Sequence, residues 1–178
     1  MKKYLLLVLI LFVSLCCTAC INNIAIQELN QMGKEYLDKG EVDNAISRFQ
    51  SSIDLDENIF ESRYNLGVAY IQKNDYNNAI IQLKKAIEIN PKSSDAYYSY
   101  AVALENQGLK FEEILDGDKN KPTKEEMIEN LKIVDKSIKM YQNYLSNLKT
   151  SPDDSVEVHI KELQNLIIKY KEEYKIEE

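Results

Sequence analysis

Apolar residues recur at every third or fourth position along most of the chain, which is the spacing of one face of an α-helix. The longest such run alternates steps of four and three: Met127, Leu131, Val134, Ile138, Tyr141, Leu145 and Leu148. A second run follows with the same steps: Val156, Ile160, Leu163, Ile167, Tyr170 and Tyr174. The pattern predicts an all-α protein whose last two helices form an antiparallel hairpin along these two seams.

Turn and capping residues divide the pattern into helices. Glycine, asparagine and proline interrupt it at 39–41, 73–75 and 90–91. Thr123 with Glu126 three residues later forms a capping-box pattern, and Ser151 before Pro152 is typical of a helix start. The predicted helices span about 25–38, 42–54, 60–72, 76–89, 124–148 and from 151 onward, with one more starting near 94.

The first half of the chain is internally repeated. Four residues of the first copy have a counterpart 34 positions later, because 67−33, 70−36, 79−45 and 83−49 all equal 34. The first copy contains Gly33, Tyr36, Ala45 and Phe49, and the second contains Gly67, Tyr70, Ala79 and Leu83. A third copy starts at Ser94 with Ala101 in the place of Gly67 (101−67 = 34), and then an insertion at about 108–123 interrupts the period. A helix pair cannot bury its apolar face alone, so such repeats stack.

The repeated pattern L-G-x-x-Y, then A and P, resembles the tetratricopeptide repeat. The resemblance implies a short helical solenoid closed by a C-terminal capping hairpin. Its repeats would span 25–59, 60–93 and 94–150, with a capping helix over 151–178. In this family the first helix of each repeat lines a concave groove, which implies partner-binding positions at Asn30, Lys34, Leu37, Tyr64, Val68, Ile71, Tyr98 and Val102.

The N-terminus has the features of an export signal. Lys2 and Lys3 precede the apolar run Tyr4–Leu15, which is shorter than the roughly 20 residues that a membrane span needs. The junction Thr18-Ala19-Cys20 resembles a bacterial lipobox, although Cys17 stands where leucine is usual. The resemblance implies a signal peptide over 1–19, a diacylglycerol on Cys20 and a tether over 20–24. Cleavage without lipid and an uncleaved anchor are the alternatives.

Charge and composition limit the function. The formal net charge of −7 argues against binding nucleic acid, because phosphate contacts require a positive surface. All three cysteines lie in or at the end of the leader, so the exported part contains no disulfide. Neither a phosphate loop, a set of metal ligands nor a catalytic nucleophile with its base is apparent. We expect a non-enzymatic protein without cofactor or metal.

These observations predict a protein-binding module on the exported side of a bacterial membrane, acting as an adaptor or assembly scaffold. Its partner would be a protein or peptide segment with apolar anchors. Relatives that clamp a C-terminal carboxylate use lysine, asparagine and arginine at positions that here are Asn30, Lys34, Asn65, Asp95 and Ser99, so that ligand is disfavoured. The alternatives are a homo-oligomer joined through the two seams and an accessory of an envelope hydrolase.

Overall fold

The computed structural model describes residues 21–111, 121–149 and 153–177. Seven helices dominate these residues: α1 (21–38), α2 (Val42–Leu55), α3 (Phe60–Gln72), α4 (Tyr76–Ile89), α5 (Ser94–Gly108), α6 (Lys124–Asn147) and α7 (Asp154–Glu173). Each helix from α2 onward packs against the next one in the chain, and α3 also contacts α5. The predicted all-α repeat fold is therefore confirmed. Within the described ranges, no helix combines the length and the apolar character that crossing a bilayer requires.

Most predicted helix boundaries are found where the capping residues placed them. Gly40 has φ = 75°, in the left-handed region that favours glycine, and it separates α1 from α2. The side chain of Ser93 accepts a hydrogen bond from the Ala96 amide at the start of α5. The predicted capping box is present at α6: the Glu126 amide donates to Thr123 Oγ1, and the Thr123 amide donates to the Glu126 carboxylate.

Two boundaries differ from the prediction. Residues 21–24, expected to be a tether, are helical and form the first turn of α1. The last helix begins at Asp154, with Asp153 in the N-cap position. The predicted cap at Ser151 and Pro152 lies outside the described residues, as do the leader with Cys20 and residues 112–120 of the insertion.

Close contacts between glycine and a large apolar side chain hold the first two repeats together. A Cβ atom placed on Gly33 would lie 2.4 Å from Cε1 of Phe49, and one placed on Gly67 would lie 2.5 Å from Cγ of Leu83. Phe49 and Leu83 are both fully buried. The two helices of each pair approach so closely that only glycine fits at these positions, which explains the repeated glycine in the sequence.

The third repeat obtains its second helix from beyond the insertion. Helix α6 packs on α5, and α7 packs on α6 in a cluster that also contains Ala101 of α5. Residues of the two seams pack together in two clusters. One contains Val134, Ile138, Tyr141, Val156, Ile160 and Leu163, and the other contains Met127, Leu131 and Tyr170. The hairpin is confirmed. These side chains are buried inside one chain, so they are not free to form the contact between chains on which the homo-oligomer alternative depends.

Candidate functional site: the face of helices α1, α3 and α5

The predicted partner-binding positions lie on α1, α3 and α5, at helical spacings that place them on one face of each helix. The three faces are adjacent, because Lys34 of α1 forms an ion pair with Glu61 of α3 and α3 contacts α5. We call this surface the groove face. Its exposed or half-exposed members are Lys34, Leu37, Tyr64, Val68, Ile71, Tyr98 and Val102.

Tyr98 is the most prominent aromatic residue of the groove face. It is 42% exposed, more than any other apolar residue of the groove face. Two tyrosines of α6 support it edge-on, with ring centroids 5.6 Å away for Tyr141 and 5.2 Å away for Tyr144. The ring is thus held in place while a large part of its surface faces solvent.

Tyr64, the equivalent residue one repeat earlier, has a different environment. Its ring stacks on Phe60 of the same helix at a centroid distance of 5.8 Å. It also packs, together with Ile71, against the core between α4 and α5. Tyr64 is thus half-buried with a ring partner on its own helix, whereas Tyr98 is exposed and supported by α6.

The prediction for Asn30 requires correction. This side chain is only 2% exposed, so it cannot contact a partner on the groove face. Its Nδ2 lies 3.0 Å from the carbonyl of Ile26, 3.2 Å from the hydroxyl of Ser52 and 2.9 Å from the hydroxyl of Ser62. Asn30 is a buried polar link between α1, α2 and α3 through Nδ2, while its Oδ1 is buried without a hydrogen-bond partner among the described residues.

The other predicted positions divide between packing and surface. Leu37 packs against the cluster around Phe49, and Val102 packs against the cluster that α5 shares with α6 and α7. Val68 is half-buried. Lys34 is exposed, but the Glu61 carboxylate already neutralises its ammonium group. Tyr98 is therefore the predicted apolar residue with the largest free surface.

A cluster of polar groups at the edge of the groove face was missed by the sequence prediction. The Tyr141 hydroxyl donates to Oε2 of Glu105 at 2.7 Å, and Nε2 of His159 lies 3.0 Å from the same oxygen. The Tyr141 and His159 rings meet edge-on at 5.5 Å. From the sequence alone, His159 would be placed on the flank of a helix. Its contact with Glu105 was not predicted, because the two residues are 54 positions apart and form no recognisable motif.

The cluster changes the ionisation of its members. Burial and the hydrogen bond to Glu105 raise the pKa of Tyr141 well above its ordinary value, so the phenol stays protonated. Burial alone would lower the pKa of His159. The hydrogen bonds and negative charges of Glu105 and Glu162 outweigh burial, and the pKa of His159 is raised.

A second polar contact joins the end of α6 to the start of α7. The Tyr144 hydroxyl donates to Oδ2 of Asp153 at 3.0 Å. Hydrogen bonds from Ser155 and then Tyr144 lower the pKa of Asp153, so this carboxylate is ionised. In the described part of the chain, histidine, cysteine and carboxylate side chains form no group of three or more that could hold a metal ion.

Comparison with known proteins agrees with this geometry. The TPR repeat family matches residues 33–73 and 69–108, the segments that contain both close glycine contacts. Residues 33–108 therefore match the tetratricopeptide-repeat family, and the fold is of the tetratricopeptide type. No curated protein sequence matches the chain significantly.

Several solved tetratricopeptide-repeat structures have a similar fold. The TPR2B domain of yeast Sti1, in complex with pHsp70, has 17% sequence identity and a TM-score of 0.58, covering 83% of this chain and 98% of that one. The second TPR domain of human RPAP3, in complex with the HSP70 peptide SGPTIEEVD, has 13% identity and a TM-score of 0.61, covering 80% and 98%. The translocator chaperone SycD of Yersinia enterocolitica type III secretion has 14% identity and a TM-score of 0.59, covering 83% and 94%. At these low identities the likeness shows the fold alone.

Proposed function

We propose that this protein is a non-enzymatic adaptor or assembly scaffold that binds a segment of a partner protein on its groove face. The observation that carries the proposal is Tyr98, an exposed ring of the groove face that Tyr141 and Tyr144 support. Interface hot spots are enriched in tyrosine. A ring that is already immobilised loses little entropy on binding, so Tyr98 suits the role of an anchor.

The partner differs in chemistry from the acidic chaperone peptides seen with the similar structures. Four of the five positions that match the carboxylate clamp are unsuited to it. Asn30 is buried and hydrogen-bonded internally, Lys34 is paired with Glu61, and Ser99 is 9% exposed. Asp95 is exposed and negative. Asn65 has a side-chain donor without a partner among the described residues, at Nδ2. A single amide donor cannot replace a set of cations.

The groove-face proposal is tested with the variant carrying both Tyr64→Ala and Tyr98→Ala. The native partner is first identified by cross-linking in the membrane and mass spectrometry, and its affinity is then measured for the wild type and for each variant. Truncation of an anchor residue costs about 2 kcal/mol or more, so we expect the affinity to fall at least about 30-fold.

The matched control is Ile81→Ala, which shortens an apolar side chain that is 49% exposed on α4. This variant should bind like the wild type. Circular dichroism and thermal unfolding show whether each variant is folded. Full binding by a folded double variant would refute the groove face as the binding site.

We further propose that the protein is anchored to a bacterial membrane, on its exported side, by lipid on Cys20. The leader and the Thr18-Ala19-Cys20 junction support this. Ile21 and Ile24, in the first turn of α1, are 63% and 65% exposed, and apolar side chains next to a lipid anchor suit a position at the bilayer surface. Labelling with a fatty acid should mark the wild type but not Cys20→Ser. Normal cleavage after Ala19 without any label would show a secreted protein instead.

A further inference from the structure

The carboxylates near Tyr98 have few cationic partners. At the α1 end, the ammonium of Lys34 neutralises Glu61. Toward α7, the carboxylates are Asp95, Glu105, Asp153 and Glu162. In the part of the chain that the structure describes, the only cationic group within ion-pair distance of any of these four is the imidazole of His159, which contacts Glu105 and Glu162. Asp95 and Asp153 have no cationic partner there.

These two unpaired carboxylates flank the exposed aromatic residue. Asp95 precedes Tyr98 by three residues on α5, which places both side chains on the same side of the helix. Tyr144 lies 5.2 Å from Tyr98 and donates its hydroxyl to Asp153. The negative charge of Asp95 also acts on the Tyr144 hydroxyl. Two aromatic rings and two carboxylates therefore share one small area, with Asp95 and Tyr98 exposed to solvent.

We propose that this area binds an arginine or lysine side chain of the partner segment. The inference rests on the proposed function and adds the chemistry of the ligand. A cation over a tyrosine ring is attracted by the π electrons, and flanking carboxylates add charge complementarity. Arginine fits better than lysine, because its planar group both stacks on rings and forms paired hydrogen bonds with carboxylates. Apolar residues next to the cation would contact Val68, Ile71 and Val102.

The probe for this proposal is a displayed library of random twelve-residue peptides, panned on the full-length wild-type protein. Peptides whose binding is lost in the double tyrosine variant are kept, since these occupy the groove face. We expect the kept peptides to be rich in arginine or lysine beside apolar residues. Replacing the cation of such a peptide with glutamine should weaken its binding roughly three- to tenfold, and added salt should weaken the unmodified peptide.

Protein variants test the same contact from the other side. Asp95→Asn removes the charge and keeps the shape, and it should weaken the selected cationic peptides roughly three- to tenfold. Asp95→Glu keeps the charge and should retain binding. Glu88→Gln removes an exposed carboxylate on α4 and is the matched control. Thermal unfolding of each variant separates a lost contact from a lost fold.

The outcomes distinguish this inference from the function on which it rests. Groove-dependent peptides that are acidic, or whose affinity is unchanged when the cation or Asp95 is neutralised, would overturn the cation site and leave the binding function standing. A selection that yields no peptide dependent on Tyr64 and Tyr98 would overturn the groove-face function, and the cation site with it.

Discussion

Replacing Gly67 with alanine tests the contact between α3 and α4 on which the second repeat depends. The added methyl group would lie 2.5 Å from Cγ, 2.9 Å from Cδ2 and 3.3 Å from Cδ1 of Leu83. Normal contacts between carbon atoms are about 3.5–4.0 Å, so either the Leu83 side chain or the whole helix must move by about 1 Å. Leu83 is fully buried, and protein interiors are close-packed, so such a movement disturbs its neighbours.

Two opposing effects decide the sign of the change. Alanine favours the helix over glycine by about 1 kcal/mol. Overpacking of a filled core costs about 1–3 kcal/mol, and a contact this short between two buried groups belongs to the upper part of that range. The net expectation is a loss of about 1–2 kcal/mol in the free energy of unfolding. For a protein of this size that corresponds to a melting temperature lower by roughly 2–8 °C.

A double-mutant cycle with Leu83→Ala identifies the cause. Leu83→Ala alone leaves a cavity and should cost about 2–5 kcal/mol. In the double variant the methyl group of residue 67 enters that cavity, so the double variant should be at least as stable as Leu83→Ala alone. Thermal unfolding followed by circular dichroism measures all three variants, with the exposed Ser47→Ala as control. Additive losses, or a Gly67→Ala protein as stable as the wild type, would refute the close-contact argument.

Two further predictions concern the buried polar link and the histidine. Asn30→Ala removes the amide that bonds to Ser52 and Ser62, and denaturant unfolding should show a loss of about 1–3 kcal/mol; an unchanged midpoint would contradict the role of the link. Because the pKa of His159 is raised in the folded protein, its charged contact with Glu105 adds stability below the ordinary pKa of about 6.5, and that stability is lost as the pH rises through the raised value. The difference in melting temperature between the wild type and His159→Gln should therefore shrink with rising pH, and growth of that difference would refute the argument.

The fold was predictable because its determinants are local or strictly periodic. The spacing between Gly33 and Gly67 identifies the repeat, and the capping residues around Gly40 and Thr123 identify the helix ends. The start of α1 was misplaced for a physical reason. The tether was expected because it follows the lipobox junction, but residues 21–24 continue the helix that the buried Ile26 anchors to the core.

The site was only partly predictable, because helical periodicity gives the face of a residue but not its neighbours. Asn30 has the spacing of a groove residue, yet its amide bonds to serines that are 22 and 32 positions away. His159 has the spacing of a flank residue, yet it contacts a carboxylate on another helix. Contacts across such separations depend on the stacking of the repeats, which the sequence of a single chain does not reveal.

The repeat register shows how one position acquired three roles. Asn30, Tyr64 and Tyr98 are equivalent by the 34-residue offset, since 64−30 and 98−64 both equal 34. On the second helices the equivalent residues are Ser52, Ala86 and Tyr144. The offset from Ser52 to Ala86 is again 34. The insertion lengthens the next offset to 58, both for 144−86 and for 137−79.

In the first repeat the residues at these two positions are Asn30 and Ser52, which form a buried hydrogen bond. In the third repeat they are Tyr98 and Tyr144, whose rings are in contact. In the second repeat Ala86 is fully buried and the ring of Tyr64 stacks on Phe60 instead. Tyr64 packs against the core between α4 and α5, whereas Tyr98 is 42% exposed and contacts the ring of Tyr144, which bonds to Asp153. The regular positions of the repeat thus build the scaffold, and the residues that depart from the repeat give its third unit the surface proposed here for binding.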